Sequence, residues 1–452
     1  MIRNSLSISN SSLLKQIKRI VSLVLIIVVL FAAISVMNEI YFEEELWNHI
    51  LWNSFYNQEN IDNVFIGSSH VFCGVNPFVL DEINCMNNFD LSAPGLTLSA
   101  SYYLLRETDR VYDLENAYVE LYYDINTGPN SADSEWTLKN NWRTFSYLKP
   151  SLNKWEYVSS TVDSSRYIET LIPFVRYRSR LFDGEYINSV RDNKNTEEWK
   201  NCEYIEESDT GVVEYMQKGF FRSDHTIESV DAYLYRTERN LETEGLLTED
   251  NCEYIQKIID YCKSENINIK FFITPIYETQ ILSSRDYDAY HQQVSDIINS
   301  NNVELYDFNL CKAEYLDIMH QQYFFDNGHL NETGADLFTP FLWGVLENTY
   351  EKNKIYFCNS YIEKISLDDP ELYGIYYEDS DEGKACTFAS NTDTELEYSI
   401  EFIPEDGDSI IIQDFSTNKE FVIPSEIGGG VLHVEARLLN TKTVVSEFDI
   451  NY

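Results

Sequence analysis

The sequence predicts an α/β protein in which helices cover a parallel sheet, with a transmembrane helix before it and an antiparallel β-sandwich after it. Three observations carry this expectation. Strand-like and helical periods alternate from residue 61 to 124 and again from 253 to 350, as in a parallel sheet covered on both faces. A run at 20–38, rich in Ile, Val and Leu, contains no charge and is long enough to cross a bilayer. From about residue 354 short strand-like runs recur between turn signals, with no helical period competing. A chain of 452 residues is expected to hold two or three modules, and a hydrophobic fraction of 44% supplies a sizeable core.

Arg3, Lys15, Lys18 and Arg19 precede the apolar run without an acid among them, whereas Glu39, Glu43, Glu44 and Glu45 follow it. The positive-inside rule therefore puts the N-terminus in the cytoplasm and everything after residue 38 outside. A cleaved signal peptide is the alternative. The run is long for a signal h-region, however, and Ala33-Ile34-Ser35 is a poor cleavage site, so residues 1–38 read as a retained anchor. The formal net charge is −42, and setting aside the four basic residues of the tail leaves −46 outside. Such a surface repels nucleic acid and names no substrate. The eight cysteines contain no C-x-x-C pair, which argues against a zinc site or a thioredoxin-type redox site. Cys252 and Cys262 share one predicted helix and stand about 15 Å apart, too far to bond. Scattered thiols are the expectation.

The elements follow in order. Residues 39–60 read as a juxtamembrane helix with Trp47 and Trp52. Residues 63–66 read as a strand, 76–83 as a helix with Pro77 at its first position, and 86–91 as a second strand ending in the turn Ser92-Ala93-Pro94-Gly95. A helix at 96–107 and a buried strand at 117–124 come next. Residues 128–248, rich in Trp and Tyr, read as a mostly helical insertion without a clear parallel strand. The sheet then resumes with helix 253–264, strand 268–275, helix 286–300, strand 303–308 and a closing helix at 334–350, so that 61–350 is one α/β domain. Five parallel strands with ligand groups at their carboxyl ends describe a flavodoxin-like sheet. Strand-like runs at 354–357, 372–377, 395–402, 409–414, 420–423, 431–439 and 443–450 make 352–452 the sandwich. That segment carries 21 acidic and 7 basic side chains. Asp406 and Asp408 lack a full calcium-loop motif and read as solvated loop.

Two distant stretches read as halves of one site. Gly67-Ser68-Ser69-His70 ends the first strand and exposes a serine on a tight turn at the sheet's carboxyl edge. Asp326-Asn327-Gly328-His329-Leu330-Asn331 precedes the closing helix. A histidine there can take a serine proton as general base, while an aspartate fixes its tautomer and stabilises the imidazolium. The competing reading makes Ser68 or Ser69, and His329 with Asn331, no more than helix caps.

These blocks, in the order Ser69, Gly95, Asp326, His329, resemble the SGNH (GDSL-type) hydrolases over about residues 61–350 without the insertion. The anchor, the Gly-Ser-Ser start and the large insertion look most like the membrane-tethered branch that acts on surface polymers. That branch includes alginate O-acetyltransferase-like proteins and the D-alanyl transfer protein of teichoic acid synthesis. The resemblance implies Ser69 as nucleophile, His329 as base, Asp326 as orienter, and the amides of Ser69 and Gly95 as part of an oxyanion hole. It implies no metal and no cofactor, an acyl group moved or removed on a surface polysaccharide or teichoic-type polymer, and a membrane-bound O-acyltransferase as partner. The chain departs from the family at the third block, where Tyr122-Tyr123-Asp124-Ile125-Asn126 stands in place of Gly-x-Asn-Asp. Asp124 cannot donate to an oxyanion unless protonated, and Asn126 is only close to the matching place. A carbohydrate or lipid esterase is the second reading, and a non-catalytic scaffold or binding factor in envelope polymer modification the third.

His70 reads as structural or as a pocket wall, and the other histidines have no identifiable partner. Arg176, Arg178 and Arg180 concentrate positive charge in an acidic chain. They read either as partners of nearby carboxylates or as contacts for a phosphate or uronate polymer. Trp136, Trp142, Trp155 and Trp199 read as the insertion's own core rather than as sugar platforms.

Overall fold

A computed structural model describes the chain except residues 1–9, 124–134, 209–210, 227–233, 237–245, 278–280, 282–286, 327, 349–353, 368, 382, 393 and 406. The chain opens with helix α1 (Asn10–Tyr41) and α2 (Leu46–Tyr56). Within α1, the stretch Lys15–Tyr41 contains an 18-residue window with a mean hydropathy of 3.2 and is long and apolar enough to span a membrane. Its residues from Ile20 to Phe31 face away from the rest of the protein.

The α/β part contains β1 (Asn63–Ile66), α3 (Ser69–Gly74), α4 (Pro77–Asn84), β2 (Asn88–Asp90), α5 (Leu98–Tyr112) and β3 (Asn116–Glu120). The insertion follows with α6 (Glu135–Phe145), α7 (Leu152–Thr161), α8 (Tyr167–Leu171), a 3-10 segment (Pro173–Arg180), α9 (Gly184–Asn193) and α10 (Glu197–Asn201). It continues with β4 (Tyr204–Ser208), β5 (Gly211–Tyr215), β6 (Phe221–Ser223) and β7 (Leu234–Arg236). The core resumes with α11 (Glu249–Glu265), β8 (Asn268–Ile273), α12 (Tyr287–Ser300), β9 (Glu304–Asp307) and α13 (Glu332–Glu347). The five-stranded sheet runs β2-β1-β3-β8-β9 and every pairing in it is parallel.

Period-two alternation divides the strand side chains between two cores. Val64, Ile66, Ala117, Val119, Ile269 and Phe271 pack with α5, α11 and α12 on one face. Phe65, Tyr118 and Phe272 pack with α13 on the other, where the Phe65 and Tyr118 rings stack at 4.6 Å. Burying one such ring contributes roughly 1.5–3 kcal/mol, so both helical layers are bound by ordinary apolar packing. Local chemistry sets the helix starts. Asn76 accepts from the Phe78 and Val79 amides ahead of Pro77, and Thr97 and Thr248 cap α5 and α11 in the same way.

The insertion, read as mostly helical, also holds an antiparallel sheet of β4, β5 and β6. The insertion is also fastened to the core. Lys218 pairs with Asp81, and Gly219 (φ +89) lies so close that a Cβ there would fall 1.8 Å from the Asp90 carbonyl oxygen. Trp136 and Trp155 are 57% and 46% exposed, which corrects their reading as core.

After the short helix α14 (Tyr361–Ile365) come β10 (Leu372–Ser380), β11 (Gly383–Ser390), β12 (Leu396–Pro404), β13 (Ile410–Ser416), β14 (Glu420–Pro424), β15 (Gly430–Leu438) and β16 (Val444–Asn451). They form two four-stranded sheets, β14-β11-β10-β7 and β13-β12-β15-β16. Ile375, Phe388 and Ile423 of the first share a core with Tyr398, Ile400, Leu432 and Val434 of the second. Pairings within the C-terminal segment are antiparallel, while β7, from the insertion, joins β10 in parallel. The run at 354–357 is a turn with an isolated bridge from Phe357 to Cys311, not a strand. Cys73, Cys262, Cys311 and Cys386 are buried thiols outside any disulfide, and Asp406 lies outside the described residues.

Candidate active site

The turn after β1 presents two serines that divide the work. Ser68 is the N-cap of α3, its Oγ accepting from the His70 amide at 3.2 Å. Ser69 occupies the first helical position, where the backbone N–H has no intrahelical acceptor, and its side chain is left free of the cap. Gly67 is needed by contact, since a Cβ would lie 2.4 Å from Val71 Cγ2 and 2.6 Å from Glu120 Cβ. The same division holds at the other end. Asn331 caps α13 by accepting from the Gly334 amide at 3.0 Å, leaving His329 uncommitted.

The two halves meet. Ser69 Oγ lies 2.7 Å from His329 Nε2, and His329 Nδ1 lies 2.8 Å from Asp326 Oδ2. With Nδ1–H donating to the carboxylate, Nε2 is the acceptor for the serine hydroxyl. Asp326 Oδ1 also accepts from the amides of Gly328 and His329, at 2.8 and 2.9 Å, which shapes the loop. Burial opposes ionisation of Asp326. The His329 imidazole and those two amides outweigh it and hold the carboxyl below the usual carboxylate range.

The His329 ring is held between two others. His70 stacks on one side at 4.5 Å and Phe325 on the other at 5.2 Å. Burial pushes the His70 imidazole well below its ordinary pKa, with His329 nearby adding to the effect, which favours a neutral His70 beside the His329 ring. The insertion supplies part of the wall, because Phe221 of β6 touches Phe72 of α3 and Phe325. Arg222 of the same strand pairs with Glu332 at the start of α13, at 2.8 Å.

Gly95 sits on the neighbouring turn with φ +65, and a Cβ there would meet Asn140 Nδ2 at 2.6 Å and the Trp136 ring at 3.0 Å. That turn is tied to the Ser69 turn. The Ala93 amide donates to the Gly67 carbonyl at 3.2 Å and the Gly67 amide to Ser92 Oγ at 3.1 Å. Asp124 and Asn126, the third-block departure, lie outside the described residues.

Sequence reasoning missed Glu120. It closes β3 as a buried carboxyl beneath the serine turn, accepting from the Ser68 amide and the Ser68 hydroxyl at 2.7 Å each, and from Thr274 Oγ1. Burial raises its pKa, while the Thr274 and Ser68 donors draw it partly back. The available signal was an acid inside the apolar run Ala117-Tyr-Val-Glu-Leu121. Glu120 holds the Ser68 amide and hydroxyl in place, so Glu120→Ala should lower stability by about 1–3 kcal/mol as Ser68 loses that acceptor, and any turnover that depends on the serine turn about 10–10²-fold with KM little changed. Glu120→Gln, which keeps one carbonyl oxygen, should do less of both. Its raised pKa means that the folded chain binds the proton more tightly, so wild-type stability falls as pH rises through the carboxylate range, and Glu120→Gln removes that slope. Steady-state kinetics and urea melts at several pH values check this.

No known protein family and no curated protein matches the chain.

Proposed function

We propose that this chain is a membrane-anchored serine acyltransferase or esterase of the SGNH type, acting outside the cytoplasm. The observation that carries the reading is the chain of contacts Ser69–His329–Asp326 at one end of an all-parallel sheet. The strand order β2-β1-β3-β8-β9 supports a flavodoxin-like reading of the sheet, in which ligand groups gather at the carboxyl ends. Ser69 Oγ attacks an ester carbonyl as His329 takes its proton, and the amides of Ser69 and Gly95 hold the tetrahedral oxygen. Collapse expels the alcohol, protonated by His329, and leaves an acyl-serine. A second alcohol or water, deprotonated by His329, then attacks the acyl carbon and restores the serine.

The acceptor is a hydroxyl of a surface polysaccharide or teichoic-type polymer, and a membrane-bound O-acyltransferase supplies the acyl group. A transferase must hold the acceptor near the acyl-serine and keep water away. The Phe221–Phe325 contact, which brings the insertion against His329's neighbour, supports such a wall. Weak hydrolysis of a soluble aryl ester and acyl transfer that requires a polymer hydroxyl are the expected results. Rapid hydrolysis indifferent to any acceptor would favour the plain esterase.

Residues 1–38 are the anchor in this account. Protease added to intact cells should digest the chain beyond residue 38. Protection of that portion, or a mature N-terminus near Val36, contradicts the anchor.

A further inference from the structure

Five arginines crowd the part of the insertion nearest α1, and four of them are paired with acids. Arg143 pairs with Glu45, Arg166 with Glu135 and Glu169, Arg178 with Glu169, and Arg180 with Asp183. Arg176 differs. It forms no ion pair with a carboxylate among the described residues, its Nε is buried without a hydrogen-bond partner, and one terminal nitrogen donates to Ser146 Oγ. Its guanidinium lies 4.7 Å from the centre of the Trp142 ring and 5.2 Å from that of Phe42, which hold the plane in place without neutralising it. Burial draws its pKa down to about 10, so it is charged at neutral pH.

Arg176 lines two cavities. The larger, of about 390 Å³, carries Arg166, Arg176 and Arg178 against the single acid Glu169, with Trp142 as its apolar wall. The smaller, of about 240 Å³, is lined by Asn48, whose Oδ1 is a second buried polar atom without a partner, but also by the acids Glu43 and Glu45, so the larger cavity is the one suited to an anion. A buried charge in a folded protein is normally paired. In a chain with 75 acidic and 33 basic residues, an arginine that escapes pairing marks a place kept for an anion from outside.

The position indicates which anion. The 3-10 segment bearing Arg176 is fastened to the end of the apolar helix, the Phe174 amide donating to Asn38 Oδ1 at 2.9 Å and the Tyr41 hydroxyl to the Leu181 carbonyl at 2.9 Å. From Val36, the last strongly exposed apolar residue before that end, to Tyr41 is about 8 Å of helix. That matches the roughly 5–8 Å headgroup layer of one leaflet, so on the membrane reading of α1 the segment bearing Arg176 is tied to the helix at headgroup level.

We propose that the larger Arg176 cavity binds a phosphate ester, with the guanidinium fork on the phosphate oxygens and Arg166 and Arg178 beside it. The proposal rests on the membrane reading of α1 and not on the Ser69 chemistry, so protease topology fails separately from it.

The test uses the full-length chain in a neutral detergent, titrated with dioctanoyl phosphatidylglycerol, dioctanoylglycerol, glycerol 3-phosphate and galacturonate. Tryptophan emission and the thermal midpoint are read at each step. A saturable response to phosphatidylglycerol, absent with dioctanoylglycerol, is expected. A matching response to glycerol 3-phosphate assigns the site to soluble phosphate esters, and a response to the lipid alone assigns it to a headgroup. Arg176→Gln should weaken binding at least about tenfold, and Arg180→Gln, whose arginine is paired with Asp183, should not. Protection from phenylglyoxal gives a readout in the unmutated chain, with phosphatidylglycerol shielding Arg176 and leaving Arg180 reactive. No saturable response to either phosphate compound, tighter binding of galacturonate, or unshielded Arg176 at saturation would overturn the proposal.

Discussion

Ser69→Ala abolishes turnover of a soluble aryl ester, with kcat down by about 10⁴-fold or more, while the thermal midpoint stays where it was. Both halves of this expectation come from the turn itself. The Ser69 hydroxyl is the group hydrogen-bonded to His329 Nε2, so its removal leaves the base without a nucleophile. The cap of α3 belongs to Ser68, so removing the neighbouring hydroxyl takes no bond from the helix. His329→Ala should cost about as much, and the double variant little more, because the two act as one unit. A variant at Ser68 behaves oppositely. Ser68→Ala leaves a buried Glu120 oxygen without its hydroxyl donor and should lower stability first.

Asp326→Asn lowers kcat by about 10⁴-fold without unfolding the loop. The Asn carbonyl can still accept from the amides of Gly328 and His329, which preserves the turn. Its amide nitrogen, however, replaces Oδ2 at 2.8 Å from His329 Nδ1, where two donors cannot meet, and the remaining oxygen, 2.9 Å from Nδ1, is already shared by two backbone amides. The imidazole is driven to the tautomer with its proton on Nε2, which can no longer accept from Ser69. The wild-type carboxyl is held below the ordinary carboxylate range. Its support is therefore fully present above that range and is lost only as pH falls through the lowered value. Ester kinetics with circular dichroism of the variant would check both parts.

Much of the parallel sheet was legible because its strands are short apolar runs between helices with caps and a glycine turn. The two stretches of the candidate site were also legible, for the first stands at a strand-to-helix junction and the second directly before a helix. The capping alternative proved true of the adjacent residues, Ser68 and Asn331, and this frees Ser69 and His329 for each other. What escaped depends on distance in sequence. Glu120 reads as an oddity in a strand until Ser68 and Thr274 arrive from other strands. Strand β7 has no local signal for its partner, which lies more than a hundred residues on in β10. Strand β4 carries the adjacent acids Glu206 and Glu207, which blur a period-two pattern, and β11 is built mainly from small residues, Gly383-Lys-Ala-Cys-Thr-Phe-Ala-Ser390, with little apolar contrast. The arginines 176, 178 and 180 read either as partners of carboxylates or as ligand contacts, and pairing holds for Arg178 and Arg180 but not for Arg176.

The most direct test of the serine chemistry is covalent labelling of the full-length chain by a fluorophosphonate, with the modified residue located by mass spectrometry. Attack by Ser69 Oγ on the phosphorus expels fluoride and leaves a stable phosphonyl-serine, so the reaction needs the nucleophile and its base but no knowledge of the natural substrate. The account predicts a single label on Ser69, lost in Ser69→Ala and strongly slowed in His329→Ala. An unlabelled Ser69 in a folded chain, or labelling that His329→Ala leaves unchanged, would contradict it and leave the SGNH-like sheet as a scaffold.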